Sequence, residues 1–292
     1  MSTPHNPIDS FIHITDLHFW ELVLNPFRMM NKRFIGNVNI FLKRRHDFAM
    51  GNADIFADHV ASLGIKNVLV TGDFASTSTP LEFHRGKEWL EGLERRGLTP
   101  TVIRGNHDVY TFESVRKKRF ESFYEPWLVN EKQPSTTTLP GDTKIHWIST
   151  VCANWFTSRG QVTPADVDKL VETFGAVDGP VLVAGHYPIL ENAPGYVVNH
   201  NRGLQNAEML RKALGKSGKE ILYLHGHVHR FNYSRDPDYP NLKHLSTGAF
   251  FRIAEETNSH GEFSEVHVHS DYVQIVRHRI DSNGWNSEEM SL

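Results

Sequence analysis

Five short clusters of side chains able to bind metal run along the chain in order. They are Asp16-Leu17-His18, Gly72-Asp73, Gly105-Asn106-His107-Asp108, Gly185-His186 and Gly226-His227-Val228-His229. Asp16, His18, Asp73, Asn106, His186, His227 and His229 together offer four imidazoles, two carboxylates and one amide. Imidazole combined with carboxylate suits Zn, Mn and Fe, and seven donors serve two such ions if one carboxylate bridges them. A paired centre of this kind hydrolyses phosphate esters. A water held between the cations ionises near neutrality, and it attacks phosphorus in line while both ions take up charge on the non-bridging oxygens. No covalent nucleophile is required, which sets Cys152 aside.

Singly, the clusters are weak signals. An Asp-x-His triplet arises by chance, Asn and Gly beside His107 favour turns, and His186 next to Tyr187-Pro188 could be a hydrogen-bonded core residue. Their placement gives them weight. Each follows an apolar stretch that reads as a strand: residues 11–15, 66–71, 101–103, 180–184 and 221–224. Ligands in open α/β sheets gather beyond the C-terminal ends of strands. The glycines before Asp73, Asn106, His186 and His227 let the chain turn sharply and approach an ion closely.

The remaining pattern predicts helices over 47–63, 80–96, 112–123, 164–174 and 204–214, a strand over 144–151 and a hairpin or loop over 130–142. The C-terminal part reads as strands only, 242–246, 262–269 and 272–279. With no repeat and no long linker, one domain spanning 1–292 is expected. The chain balances 31 Lys and Arg against 34 Asp and Glu, and 39% of it is hydrophobic, so neither disorder nor a nucleic-acid partner is expected. One cysteine, a polar start and no apolar run near ~18 residues argue for a cytoplasmic protein without a spanning segment. Eighteen histidines exceed any one site. His13, His59, His84, His244, His267 and His269 therefore read as packing or surface residues, and His225 as one that orients a ligand.

The five blocks resemble those of the calcineurin-like metallophosphoesterase family, over roughly residues 12–248. The resemblance implies a four-layer α/β/β/α sandwich and two divalent ions, manganese first, with iron or zinc as alternatives. It implies Asp16, His18, Asp73 and His229 around one ion and Asp73, Asn106, His186 and His227 around the other, Asp73 bridging. His107 would protonate the leaving oxygen or steady the transition state, and Asp108 would hold the His107 ring by a hydrogen bond. Many members carry two histidines where this chain has His186-Tyr187, but the first is the usual ligand.

Residues 19–46 interleave aromatic and aliphatic side chains with Arg28, Lys32, Arg33, Lys43, Arg44 and Arg45. That basic amphipathic insert reads as a lid or as a segment lying on an anionic membrane surface; the plainer alternative is a capping helix pair. Asn31-Lys32-Arg33-Phe34-x-Gly36-x-x-Asn39, Gly72-Asp73-Phe74, Gly105 to Tyr110 and Leu222 to His227 are similar to the chlamydial-type UDP-2,3-diacylglucosamine pyrophosphate hydrolases of lipid A synthesis. That resemblance implies a nucleotide-lipid substrate, UMP as product and a protein peripheral on the inner face of the cytoplasmic membrane. Arg159, His200, Asn201 and Arg202 follow strand ends and are candidates to reach a diphosphate or uridine, Arg being suited to bidentate phosphate contact. Two other classes compete: a soluble phosphodiesterase for cyclic nucleotides or small diesters, and a catalytically dead scaffold. The scaffold reading is opposed by the full set of ligand positions.

Overall fold

Period-two alternation in the strands decides the layering. In the computed structural model, which describes residues 6–22, 48, 50–129, 134–155, 157–175, 177–193, 196, 201–254 and 258–292, the chain first lays down β1 (Asp9–Ile14), β2 (Asn67–Val70) and β3 (Thr99–Val102). It then builds β4 (Ser135–Thr138), β5 (Lys144–Trp147), the short β6 (Gly160–Gln161), β7 (Val181–Ala184), the short β8 (Leu204–Gln205), β9 (Ile221–His225), β10 (Phe231–Arg235) and β11 (Leu242–Thr247). It closes with β12 (Glu262–Val268), β13 (Val273–Asp281) and β14 (Gly284–Met290). The described strands form two mixed six-stranded sheets, ordered β14-β13-β12-β1-β2-β3 and β10-β11-β9-β7-β5-β4, and β6 pairs with β8.

Successive side chains on a strand face opposite ways, and here they fill different cores. Phe11 and Leu69 of the first sheet meet Trp147, Leu182, Leu222 and Leu224 of the second in a core between the sheets. Their neighbours Ile12, Ile14, Val68 and Val70 instead pack outward on Phe56, Val60, Phe83, Trp89 and Leu90. Those residues belong to helices α1 (Ala53–Ser62) and α2 (Pro80–Arg95). On the far side Val181, Val183, Ile221 and Tyr223 pack on Val167, Leu170, Leu210 and Leu214. Three apolar interfaces make four layers, α/β/β/α.

Between these come two short helices, α3 (Phe112–Arg116) and α4 (Arg119–Tyr124). The outer helices of the second sheet are α5 (Pro164–Glu172) and α6 (Ala207–Gly215). Several expected boundaries move. The helix expected over 112–123 is broken where Lys118 takes φ 45°. The helix expected from residue 204 starts at Ala207, because Leu204–Gln205 joins a strand pair and Asn206 turns at φ 63°. The helix expected from 47 begins as a 3-10 turn, Met50–Asn52, and Asp47 lies outside the described residues. Strands β10 and β14 were not expected. Of the insert, only 19–22 fall among the described residues. No helix among the described residues is long and apolar enough to cross a membrane.

Candidate metal centre

Strands β1, β2 and β3 run parallel, as do β7 and β9. Their C-terminal ends therefore open on one side, and all five clusters sit in the loops just beyond. The two central loops touch: a Cβ on Gly72 would stand 2.4 Å from Gly105 N, and one on Gly105 2.2 Å from Asp73 N. Glycine is needed at both positions.

Asp16, His18, Asp73 and His229 converge so that one ligand atom from each lies within 4.8 Å of the others. The two imidazole nitrogens His18 Nε2 and His229 Nε2 stand 2.9 Å apart. Asp16 Oδ1 is 3.2 Å from His229 Nε2 and 3.7 Å from His18 Nε2. Ligand atoms on one ion, bound at ~2.1 Å, stand ~3–3.5 Å from one another, so these separations fit a shared cation. A second group adjoins it: Asn106 Oδ1 lies 3.0 Å from His186 Nε2 and 2.8 Å from His227 Nδ1.

Asp73 joins the groups. Its Oδ2 lies 3.6 Å from His18 Nε2 and 3.5 Å from His186 Nε2, while Oδ1 accepts the His107 amide at 2.7 Å. Both Asp73 Oδ2 and Asp16 Oδ1 are buried without a hydrogen-bond partner. An orphaned buried carboxylate oxygen is costly, and a cation is the group that these two oxygens fit. The imidazoles are aimed accordingly. His186 Nδ1 donates to the Thr71 carbonyl at 2.8 Å and His18 Nδ1 to the Ala75 carbonyl at 3.3 Å, turning each Nε2 toward the carboxylates. Such outer hydrogen bonds fix the tautomer of metal-binding histidines.

The electrostatics agree. Burial works against the His186 imidazolium, yet the charge of the nearby Asp73 carboxylate lifts its pKa to about 9. Burial opposes ionisation of Asp16 too, but His229 and its neighbours hold that carboxyl below the usual carboxylate range. The favourable field is local to the carboxylates: at His227 burial and the neighbouring His186 push the imidazole pKa well below its usual value.

His107 is half-buried at the edge of the group, its ring 4.9 Å from that of His18 and 5.3 Å from that of Tyr110. The expected hydrogen bond from Asp108 to this ring is replaced by another arrangement. His107 Nδ1 donates to the Ser76 carbonyl at 2.7 Å. Asp108 instead accepts three backbone amides, Asp73 N at 2.9 Å and Gly105 N at 2.8 Å on Oδ2, and Ala75 N at 2.9 Å on Oδ1. With both oxygens taken, it secures the loops, not the ring.

Sequence reading also missed Ser76, which acts through its backbone, and Phe48, whose ring packs 4.9 Å from His18. It missed Tyr187 as a wall as well: its ring lies 4.1 Å from that of His227. Arg159 and Asn201 lie on neighbouring loops, Ser158 N donating to Asn201 O at 3.0 Å; Arg202 follows, exposed. His200 lies outside the described residues. His267, away from the loops, bonds Ser10 Oγ and Glu265.

No curated protein sequence matches the chain. Among solved structures, a dimetal phosphatase from Danio rerio superposes with TM-score 0.65 at 13% identity, covering 98% of this chain and 100% of that one. A purple acid phosphatase from yellow lupin seeds gives 0.59 at 11% identity, covering 97% of this chain and 53% of its own. A Thermus thermophilus sulfate thiohydrolase gives 0.52 at 13%, with 99% and 58% covered. Identities this low speak to the fold alone. The sequence pattern of the calcineurin-like phosphoesterases matches residues 10–231. A match over that span settles membership: the chain belongs to the calcineurin-like phosphoesterase family and is a dinuclear-metal phosphoesterase.

Proposed function

We propose that the chain cleaves a nucleotide-diphospho-lipid of the UDP-2,3-diacylglucosamine type, releasing UMP and 2,3-diacylglucosamine 1-phosphate. The dinuclear part rests on one observation, the partnerless Asp73 Oδ2 standing 3.6 Å and 3.5 Å from the imidazoles of two ligand groups. Asp16, His18, Asp73 and His229 would hold one ion, and Asp73, Asn106, His186 and His227 the other. Bound there, two cations would neutralise the phosphate oxygens and acidify the attacking water.

The chain's own residues supply the rest. Because the Ser76 carbonyl takes the Nδ1 proton of His107, Nε2 is the ring atom left to carry an exchangeable proton. In the imidazolium form it protonates the leaving oxygen. Burial of Asp16, Asp73 and His186, all at 0 or 1% exposure, keeps bulk water from competing for the charge. Arg159, His200, Asn201 and Arg202 are assigned to the diphosphate or uridine.

Support for the lipid comes from the Asn31-Lys32-Arg33-Phe34 pattern and the basic amphipathic composition of 19–46. The test is a mass-spectrometric screen for UMP release from UDP-2,3-diacylglucosamine beside cyclic AMP, with chelated protein reloaded with manganese, iron or zinc. UMP release with manganese is expected. Turnover of cyclic AMP alone would assign a small-diester phosphodiesterase and overturn the lipid reading.

A further inference from the structure

Tyr187 and Tyr110 flank the candidate centre on its His227 and His107 sides, and a further aromatic pair joins segments tied to each of them. Tyr187 lies against His227, ring centroids 4.1 Å apart, and its hydroxyl donates to the Ser158 carbonyl. Ser158 shares a loop with Trp155, and Trp155 packs on Phe112 at 4.8 Å with the rings tilted by 41°. Phe112 starts the helix two residues beyond Tyr110, which stacks on His107 at 5.3 Å and 13°. The pair Phe112–Trp155 thus joins two segments, the helix start that follows β3 in the first sheet and the loop beyond β5 in the second.

These two rings are not spent on the fold. Trp155 is 68% exposed and Phe112 43%, whereas Tyr110 is 6% and Tyr187 0% exposed. Large apolar surface left in water on segments tied to a reaction centre is a recurrent mark of ligand binding. Flat π faces with few polar atoms select a flat partner, and base–aromatic stacking tolerates any base. The anionic part of such a ligand would meet the cationic centre while its ring reaches the aromatic pair.

We propose that Phe112 and Trp155 form a stacking subsite for the nucleobase of a nucleoside phosphate. The inference rests on the phosphoester reading of the centre and refines it, because it assigns the organic group on the phosphorus to a definite place. It does not depend on the lipid.

The test is equilibrium binding to the manganese-loaded full chain by calorimetry and tryptophan fluorescence, comparing UMP with ribose 5-phosphate, which lacks only the base. UMP is expected to bind at least ~10-fold more tightly and to quench fluorescence. Trp155→Ala and Phe112→Ala should each bring the two affinities within ~3-fold, and Trp155→Phe should keep most of the preference. Circular dichroism and metal content show whether each variant is folded and loaded. Equal affinities in the wild type, or equal losses for both ligands in the alanine variants, would overturn the subsite. Base preference without UMP release from UDP-2,3-diacylglucosamine refutes the lipid substrate and keeps the subsite.

Discussion

Asp108 holds Asp73 by its backbone: Asp108 Oδ2 accepts the Asp73 amide at 2.9 Å while also accepting Gly105 N at 2.8 Å. One carboxylate therefore ties together two loops that carry metal-binding side chains, and Oδ1 adds Ala75 beyond Asp73. Asparagine has the same shape but offers an NH2 where one of three donors must be met. Asp108→Asn should cost ~1–3 kcal/mol of stability and weaken metal binding in both groups. Its pH–rate profile should keep the wild-type shape. Urea unfolding and metal titration measure the first two effects, and a displaced limb in the profile would instead make Asp108 a partner of the His107 ring.

Asp73 and His107 should separate binding from chemistry. Asp73→Ala is expected to empty both positions, as read by elemental analysis, because its Oδ2 adjoins both imidazole groups. His107→Ala should retain two ions and lose turnover by at least ~10²-fold, the scale of a general acid. Two ions retained at full occupancy in Asp73→Ala would rule out the bridging assignment.

Metal affinity should depend on pH with a defined sign. The His186 pKa is lifted to about 9, so below that pH an ion must displace its proton. Affinity should fall up to tenfold for each unit of pH lost below about 9. Calorimetry in buffers of different ionisation heat should detect a released proton at pH 7. A binding constant flat between pH 7 and 9 would exclude the mechanism.

The loop that latches His107 rests on Glu82. This carboxylate accepts Thr77 N at 2.8 Å and Thr79 N at 3.0 Å, one residue and three residues past Ser76. Burial nevertheless raises its pKa from 4.5 to about 7, overcoming the hydrogen bonds from Thr79 and Thr77. The folded state therefore holds this proton more tightly than the unfolded chain. Stability from this group is greatest below pH 4.5 and is lost as pH rises through about 7. Relative to Glu82→Gln, which keeps an oxygen for the amides, the wild type should lose about 3 kcal/mol across that window. Urea unfolding at pH 4.5 and pH 8 supplies the comparison; a constant difference would show that folding leaves the Glu82 pKa unshifted.

What the sequence revealed and what it hid follow from how each residue acts. The clusters were legible because their donors are side chains and each follows an apolar run, as Gly72-Asp73 follows Val68-Leu69-Val70. The four layers were implied by resemblance, and the alternation of Phe11 and Leu69 against Ile12 and Val70 supplies their physical basis. Ser76 was invisible because it contributes a carbonyl that any residue has. The role of Asp108 was misjudged because its partners are backbone amides, brought near only by the close approach of Gly72 and Gly105. β14 escaped because Gly-Trp-Asn-Ser-Glu-Glu-Met is a mostly exposed edge strand without apolar alternation. The break at Lys118 carries no glycine or proline to announce it.

His229→Gly and His229→Ala should differ in a direction that composition alone would not suggest. His229 sits at φ 55°, a left-handed backbone that glycine adopts freely and a residue with a Cβ occupies at ~1–2 kcal/mol. With metal removed, the glycine variant should be the more stable of the two in thermal melts. An alanine variant that matches or exceeds it would show that the position carries no strain.

The same backbone state recurs at Asp16, His18, Asp73 and His227, with φ of 54°, 50°, 58° and 72°. In these loops the side chains that do chemistry stand where the main chain would be most comfortable with none. A laboratory selection for heat resistance alone would therefore drift toward glycine at such positions, and its hardiest survivors would be inert.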